Sequence, residues 1–239
     1  GRYISSRRRE FFLATKCGHV TGGATGQDWS ILTISQSIDR SLKRLQTDQV
    51  DLVQLHSCPL EVLEQGDVIE ALQRARDAGK TRFIGHSGDN EAARWAVESG
   101  HFDTLQTSYN LVEQHGHTKD LLSLAGEKGM GTIIKRPVAN GVWGKTSSPY
   151  PYGDEYHRRS EIMRELGPID GEPEDPHLLT MGFTLAHPNV DVAIVGSHNP
   201  AHVRSNIEMV ENQLPIADSV VQGLYRRFEQ LEDDWRQLT

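Results

Sequence analysis

The sequence predicts an α/β fold of the barrel type, on three observations. Short apolar runs alternate with stretches of helical period about six times along the chain, and such alternation makes a parallel sheet covered by helices. Polar or glycine-rich residues follow the runs, as at Lys16-Cys-Gly, His56-Ser-Cys, His86-Ser-Gly and Gly196-Ser-His, where barrel enzymes build their sites. No G-x-G-x-x-G motif follows any run, which weighs against an open dinucleotide-binding sheet.

Each element has its own reason. Phe11 to Thr15 reads as a strand, with Lys16 at its end, and a loop holding Gly18, Gly22, Gly23 and Gly26 follows. Thr33 to Gln36 has the spacing of a capping box, and Ile34, Ile38, Leu42 and Leu45 repeat with helical period. In Val50 to His56 the apolar residues are Val50, Leu52, Val53 and Leu55. A run this short, closed by Ser57, Cys58 and Pro59, reads as a buried parallel strand with His56 at its mouth. Asp51 inside it reads as structural. Ile69, Leu72 and Ala75 mark a helix that stops at Gly79. Arg82 to Gly85 is a strand running into His86-Ser87-Gly88, and Asp89 is placed to cap the helix of Ala92, Ala93, Ala96 and Val97. Thr104 to Ser108 is a strand closed by Tyr109 and Asn110. Leu121, Leu122, Leu124 and Ala125 make a helix leading into Gly131 to Ile134 and then Lys135-Arg136-Pro137.

Residues 138–175 break the rhythm. They read as a long functional loop whose Trp143, Tyr150, Tyr152 and Tyr156 either wall a substrate or pack the loop down. A helix over 178–186 and a strand over Val190 to Val195 follow. Asn199 is an N-cap with Pro200 at the first helical position, and Val203, Ile207 and Val210 mark the helix it opens. A charged helix from Asp218 to Trp235 closes the chain. The whole, residues 1–239, reads as a single domain.

Composition narrows the function. The formal charge of −8 offers no basic excess for nucleic acid. No apolar run reaches the roughly 18 residues of a membrane span. Gly1 to Glu10 is polar and arginine-rich, without the apolar stretch of a secretory signal. Two cysteines, Cys17 and Cys58, make neither a disulfide framework nor a zinc site. A reduced, cytoplasmic chain is the expectation. The histidines at 115, 117, 198 and 202 lack the spacing of a ligand set, so no metal is expected.

Four runs occur in an order that resembles the aldo-keto reductases: Phe-Phe-Leu-Ala-Thr-Lys16-Cys-Gly, Val-Asp-Leu-Val-Gln-Leu-His56, Gln106-Thr-Ser-Tyr-Asn110, and Ala193-Ile-Val-Gly-Ser-His-Asn-Pro200 with Asn206. The resemblance covers nearly the whole chain. It implies a TIM barrel that reduces aldehydes or ketones, as small-molecule substrates, with a nicotinamide cofactor. The family's catalytic group is an Asp, Tyr, Lys and His tetrad. Lys16 matches the lysine and His56 the histidine. The resemblance assigns Ser87 and Gln106 to the nicotinamide carboxamide. It sets Lys135, Arg136 and Pro137 beside the ring and pyrophosphate. Gly196, Ser197, His198 and Asn199, with Asn206, would lie along the adenosine end. In that chemistry, hydride reaching a carbonyl carbon leaves charge on oxygen, a general acid protonates it, and a nearby ammonium favours the acid's ionised form.

The chain also departs from the pattern. The family's aspartate and tyrosine lie in its first two βα units, and this sequence opens just before what reads as the third strand. Tyr3 precedes that strand rather than ending one, so the tyrosine's role is not carried onto it. The barrel expected here is therefore incomplete, with about six βα units, strands 3 to 8. Two open edges would need covering, and a swapped or reciprocal oligomer is one way to do it. Gly88 stands where many members have an asparagine, and Lys135 where many have a tyrosine stacking on the ring. Gly196 and His202 occupy the places of the usual basic pair for a 2′-phosphate, leaving Arg204 nearby. NADPH is the expected cofactor, with NADH the alternative. A non-catalytic dinucleotide-binding scaffold or sensor is the competing function, and an isomerase or epimerase a third, for which no pair of bases is found.

Overall fold

The structure, a computed structural model, describes residues 1–21 and 26–238. Gly22 and Gly23 of the expected glycine loop lie outside them. Six parallel strands form one sheet in chain order, β1 (Ala14–Cys17), β2 (Val50–His56), β3 (Thr81–Ser87), β4 (Thr104–Ser108), β5 (Gly131–Lys135) and β6 (Val192–Ala193). The chain divides into two compact units: residues 1–106 with 127–131, and residues 107–126 with 132–239.

The first unit is built on β2. Val50 to Leu55 are all buried and only His56 emerges, as expected of a strand paired on both edges. Its partners are β1 on one side and β3 on the other. Helices α1 (Ile31–Leu45), α2 (Leu60–Gln65), α3 (Asp67–Asp77) and α4 (Asn90–Ser99) bring Ile34, Ile38, Leu63, Ile69, Leu72 and Val97 into the core. Burying an aliphatic side chain of this kind is worth about 1.5–3 kcal/mol. Two expectations are corrected here. The strand expected over Phe11 to Thr15 lies at Ala14–Cys17. Asp51 is the reason: its carboxylate accepts from Leu13 N at 2.8 Å, from Arg8 at 2.7 Å and from Arg82 at 2.9 Å. The Leu13 carbonyl still accepts from Asp51 N at 2.9 Å and from Leu52 N at 3.2 Å, but its N–H turns to the Asp51 side chain instead of a backbone partner, and Phe12 is exposed. The cap of α1 is Ser30, not Thr33: Ser30 Oγ accepts from Thr33 N at 3.1 Å, while Thr33 itself is buried. Tyr3 lies exposed in the N-terminal turn.

The second unit holds α5 (His115–Thr118), α6 (Leu121–Glu127), α7 (Asp154–Glu165), α8 (Pro176–Ala186), α9 (Pro200–Asn212) and α10 (Asp218–Leu231). Its core gathers Tyr109, Leu122, Ile134, Met163, Phe183, Leu224 and Phe228. The segment 138–175 is not a structureless loop, since α7 occupies a third of it. Trp143 and Tyr156 pack into the core, whereas Tyr150 and Tyr152 are exposed. Arg159 of α7 is wholly buried. It meets Glu113 at 3.1 Å and Glu155 at 3.1 Å, donates to the carbonyl of Arg236, and lies 4.8 Å over Trp235. The strand expected over Val190 to Val195 is cut to two residues. Among the described residues it pairs with β5, through Ile133↔Val192 and Ile134↔Ala193, and it ends the sheet order. A strand bonded on one side keeps less of its length, and Val192, Ile194 and Val195 are exposed. So are Val203, Ile207 and Val210 of α9, whose buried residue is Met209. Among the described residues no helix is long and apolar enough to cross a membrane.

Candidate active site

Register places the first unit's polar residues on one face. Lys16 pairs with Gln54, Gln54 with Gly85, and Gly85 with Thr104. One step of two residues toward the strand ends, His56 pairs with Ser87 and Ser87 with Gln106. Side chains two apart on a strand share a face. Lys16, Gln54, Thr104, His56, Ser87 and Gln106 therefore all stand on the same side of the sheet, on two successive rungs. The contact that follows is direct: Lys16 Nζ donates to Ser87 Oγ at 2.6 Å.

The strand ends are fixed by backbone bonds. Ser57 N donates to the Ser87 carbonyl at 2.7 Å, and Gly88 N to the Gln106 carbonyl at 3.0 Å. A Cβ on Gly88 would stand 2.3 Å from His86 Nε2, so the buried His86 ring fills the space that the family's asparagine would need. Sequence reasoning missed Gln54. It is 1% exposed and its Nε2 is a buried donor without a hydrogen-bond partner, on the rung of Lys16. The alternation of β2 carried the signal, because Gln54 and His56 are two residues apart. Asp51 faces Arg8 and Arg82 rather than Lys16, and its reading as structural agrees with these contacts.

The second unit carries a cleft of about 550 Å³. Of the expected cofactor residues, Arg136, Pro137, Gly196, Ser197, His202 and Asn206 line it; Lys135, His198, Asn199 and Arg204 do not. Arg136 has a left-handed backbone with φ of 61°. Its guanidinium donates to Ser108 Oγ at 2.5 Å and lies 5.0 Å over the Tyr152 ring. Asn110 Nδ2 donates to its carbonyl at 3.0 Å. Ser197 Oγ and His202 Nδ1 are 3.1 Å apart. Asn199 Oδ1 accepts from Ala201 N at 3.0 Å and caps α9. Tyr150, one of the four aromatics offered as a substrate wall, lines the cleft, and sequence reasoning missed Asn140 and His177 beside it. His177 Nε2 lies 2.8 Å from Asn206 Oδ1, an i to i+29 pair that no local pattern announces. Asn140 Nδ2 is a buried donor without a hydrogen-bond partner.

Elsewhere, His115 is taken up by Glu113 at 2.6 Å, and His117 stacks on Tyr225 at 4.2 Å. Among the described residues, no group of three His, Cys, Asp or Glu is placed to hold a metal ion.

The aldo/keto reductase family model matches residues 1–220. Over 209 residues the chain is 27% identical to L-galactose dehydrogenase of Arabidopsis thaliana, spanning 85% of this chain and 65% of that protein. Over 245 residues it is 36% identical to the aldo-keto reductase yakc, named with NADP(+), of Schizosaccharomyces pombe, spanning 90% of this chain and 69% of that one. In structure it is similar to the holo form of aldo-keto reductase AKR11C1 from Bacillus halodurans, with a TM-score of 0.78 and 25% identity, covering 95% of this chain and 76% of that one. The chain belongs to the aldo/keto reductase family. Its six-stranded parallel sheet is an incomplete version of the TIM barrel of its neighbours.

Proposed function

We propose that this protein reduces aldehydes or ketones to alcohols by hydride transfer from NADPH, with NADH as the weaker donor. The observation that carries the reading is the 2.6 Å bond from Lys16 Nζ to Ser87 Oγ. It joins the residue matched to the catalytic lysine with one matched to the nicotinamide carboxamide, on a face shared with His56 and Gln106.

The residues fit a dinucleotide. Asn140 Nδ2 is a buried donor awaiting an acceptor, and it lines the same cleft as Arg136, His202 and Asn206. A guanidinium, an imidazole and amides make a donor set suited to phosphate and ribose oxygens. NADP(+) in the name of the yakc relative supports the choice of cofactor. The nicotinamide supplies hydride when bound. The chain's own part is to orient and to stabilise charge. His56 holds the carbonyl oxygen by a hydrogen bond. The Lys16 ammonium offsets the charge that develops there and favours proton release from the group that serves as acid. Ser87 and Gln106 fix the carboxamide, so the ring cannot rotate out of line. The particular aldehyde or ketone is set by loops, and the sugar dehydrogenase among the relatives points to polyhydroxy carbonyls as the first class to try.

The test is NADPH oxidation with a panel of aldehydes, in wild type, Lys16→Met and His56→Gln. Loss of about a hundredfold in kcat in either variant, with the NADPH Kd held, supports the reading. Binding of NADPH by wild type without turnover of any aldehyde supports a non-catalytic dinucleotide binder instead.

A further inference from the structure

A second imidazole faces this site. His19 lies just past β1, and its ring stands edge-on to His56 with centroids 5.6 Å apart and planes at 80°. Its Nδ1 is 2.9 Å from Asp28 Oδ2. A carboxylate only accepts, so Nδ1 carries the proton and Nε2 is the nitrogen left for a ligand. Asp28 is itself fixed, because its other oxygen accepts from Val20 N at 2.6 Å. The other side of the His19 ring meets the Trp29 indole at 4.6 Å and 63°. Trp29 is held in turn: its backbone N–H donates to the Gly18 carbonyl at 2.9 Å. A Cβ on Gly18 would lie 1.8 Å from Trp29 Cζ3, so only glycine admits the indole there. His19 and Asp28 are both partly open to solvent, at 40% and 46%.

We propose that His19, oriented by Asp28, is a further acid–base residue of the carbonyl site, touching the substrate oxygen alongside His56. The inference rests on the reductase reading above. A carboxylate on Nδ1 with Nε2 toward the reacting atom is how an imidazole is prepared to give and take a proton. When hydride reaches the carbonyl carbon, the C=O π pair moves to oxygen. The Nε2–H bond of the His19 imidazolium breaks, the O–H bond of the alcohol forms, and neutral His19 keeps its Nδ1 proton on Asp28. Solvent returns the proton through the open side of the ring. Among the described residues, the titratable groups in contact with the His19 ring are Asp28 and His56. His56 orients the oxygen from the strand end while His19 approaches from the loop. The Trp29 indole stands against the His19 ring, so an aromatic aldehyde, whose ring can stack on it, serves as the probe.

The test combines kinetics with a measurement that needs no turnover. Reduction of 4-nitrobenzaldehyde by NADPH is followed across pH in wild type, His19→Gln and Asp28→Asn. The His19 Cε1–H resonance is followed by NMR while 4-nitrobenzyl alcohol is added without cofactor. The expected result is a fall in kcat of about tenfold or more in His19→Gln, with KM and the NADPH Kd held. Asp28→Asn shifts the pH limb of kcat, which a pair that merely ties the loop together does not do. The alcohol moves the His19 resonance. A His19→Gln enzyme with the wild-type kcat and pH profile overturns the proposal, whatever Asp28→Asn does. If wild type reduces no aldehyde, the reductase reading has failed, and the NMR alone decides: a His19 resonance moved by the alcohol sustains its contact with the ligand oxygen, and an unmoved one overturns it.

Discussion

Replacing Arg159 by Met tests how the second unit holds its last residues. Arg159 and Glu113 are each fully buried and 3.1 Å apart. Removing one partner of such a pair leaves the other as a buried, uncompensated charge, at a cost of about 3–5 kcal/mol. Glu113 keeps other donors, from His115 Nδ1 at 2.6 Å and Leu238 N at 2.7 Å. The loss should therefore fall at the lower end, about 3 kcal/mol, or roughly 6–12 °C in Tm for a chain of this size. The bond to the Arg236 carbonyl and the face on Trp235 go with it, so the last residues should open to protease before the rest unfolds. Urea unfolding followed by circular dichroism measures the first effect, and a carboxypeptidase time course the second. In the double variant Glu113→Gln/Arg159→Met, the charge left by the first change is gone. Its loss should be smaller than the sum of the two single losses by about 1 kcal/mol or more. An Arg159→Met protein within about 0.5 kcal/mol of wild type, or strict additivity, would refute the reasoning.

Two further predictions concern acid. Burial alone would raise the Asp51 carboxyl, but the Leu13 N–H and the Arg8 and Arg82 guanidiniums together outweigh it and hold it below the usual carboxylate range. That stability is present above the ordinary value, about 4, and is lost as pH falls through the lower folded value; Asp51→Asn should cost about 1–3 kcal/mol near neutrality and flatten that limb of a pH-dependent urea series. His187 behaves differently: burial, then the neighbouring His117 imidazole, pushes it down to about 4. The neutral form is the native one, with Nδ1 accepting from Asn189 N at 3.2 Å, so its contribution is present above the ordinary value of about 6.5 and is lost as pH falls from there toward the folded value. Replacing His187 by Gln should remove the part of the acid loss seen between those limits and leave the Asp51 limb in place, which the same urea series resolves.

Much of the fold is legible along the chain, because strands and caps are local. Val50 to His56 announces itself by a short, mostly apolar run closed by turn residues, and Asn199-Pro200 by cap chemistry at the start of α9. The misplacements have physical causes that lie at a distance in sequence. The first strand starts late because Leu13 N bonds to Asp51, 38 residues on. The last strand is short because it is paired on one side. Helix α7 hides in a polar stretch, since its inward face is sparse, Tyr156 and Met163 with the buried charge of Arg159 between them, rather than a continuous apolar stripe. The same limit applies at the site. Histidines and lysines at strand ends can be read from residue types. That Lys16 meets Ser87, 71 residues away, or that His19 lies against His56 with Asp28 behind it, depends on register and loop path.

Hydride transfer is followed directly with NADPH deuterated at the transferring position of its nicotinamide C4. After incubation with the protein and an aldehyde, the alcohol is examined by mass spectrometry. A reductase puts one deuterium on the carbinol carbon, formed in step with oxidised cofactor and lost in Lys16→Met. Tight binding of NADPH with no deuterium in any alcohol would contradict it, and would make this member of the family a binder of the dinucleotide rather than its user.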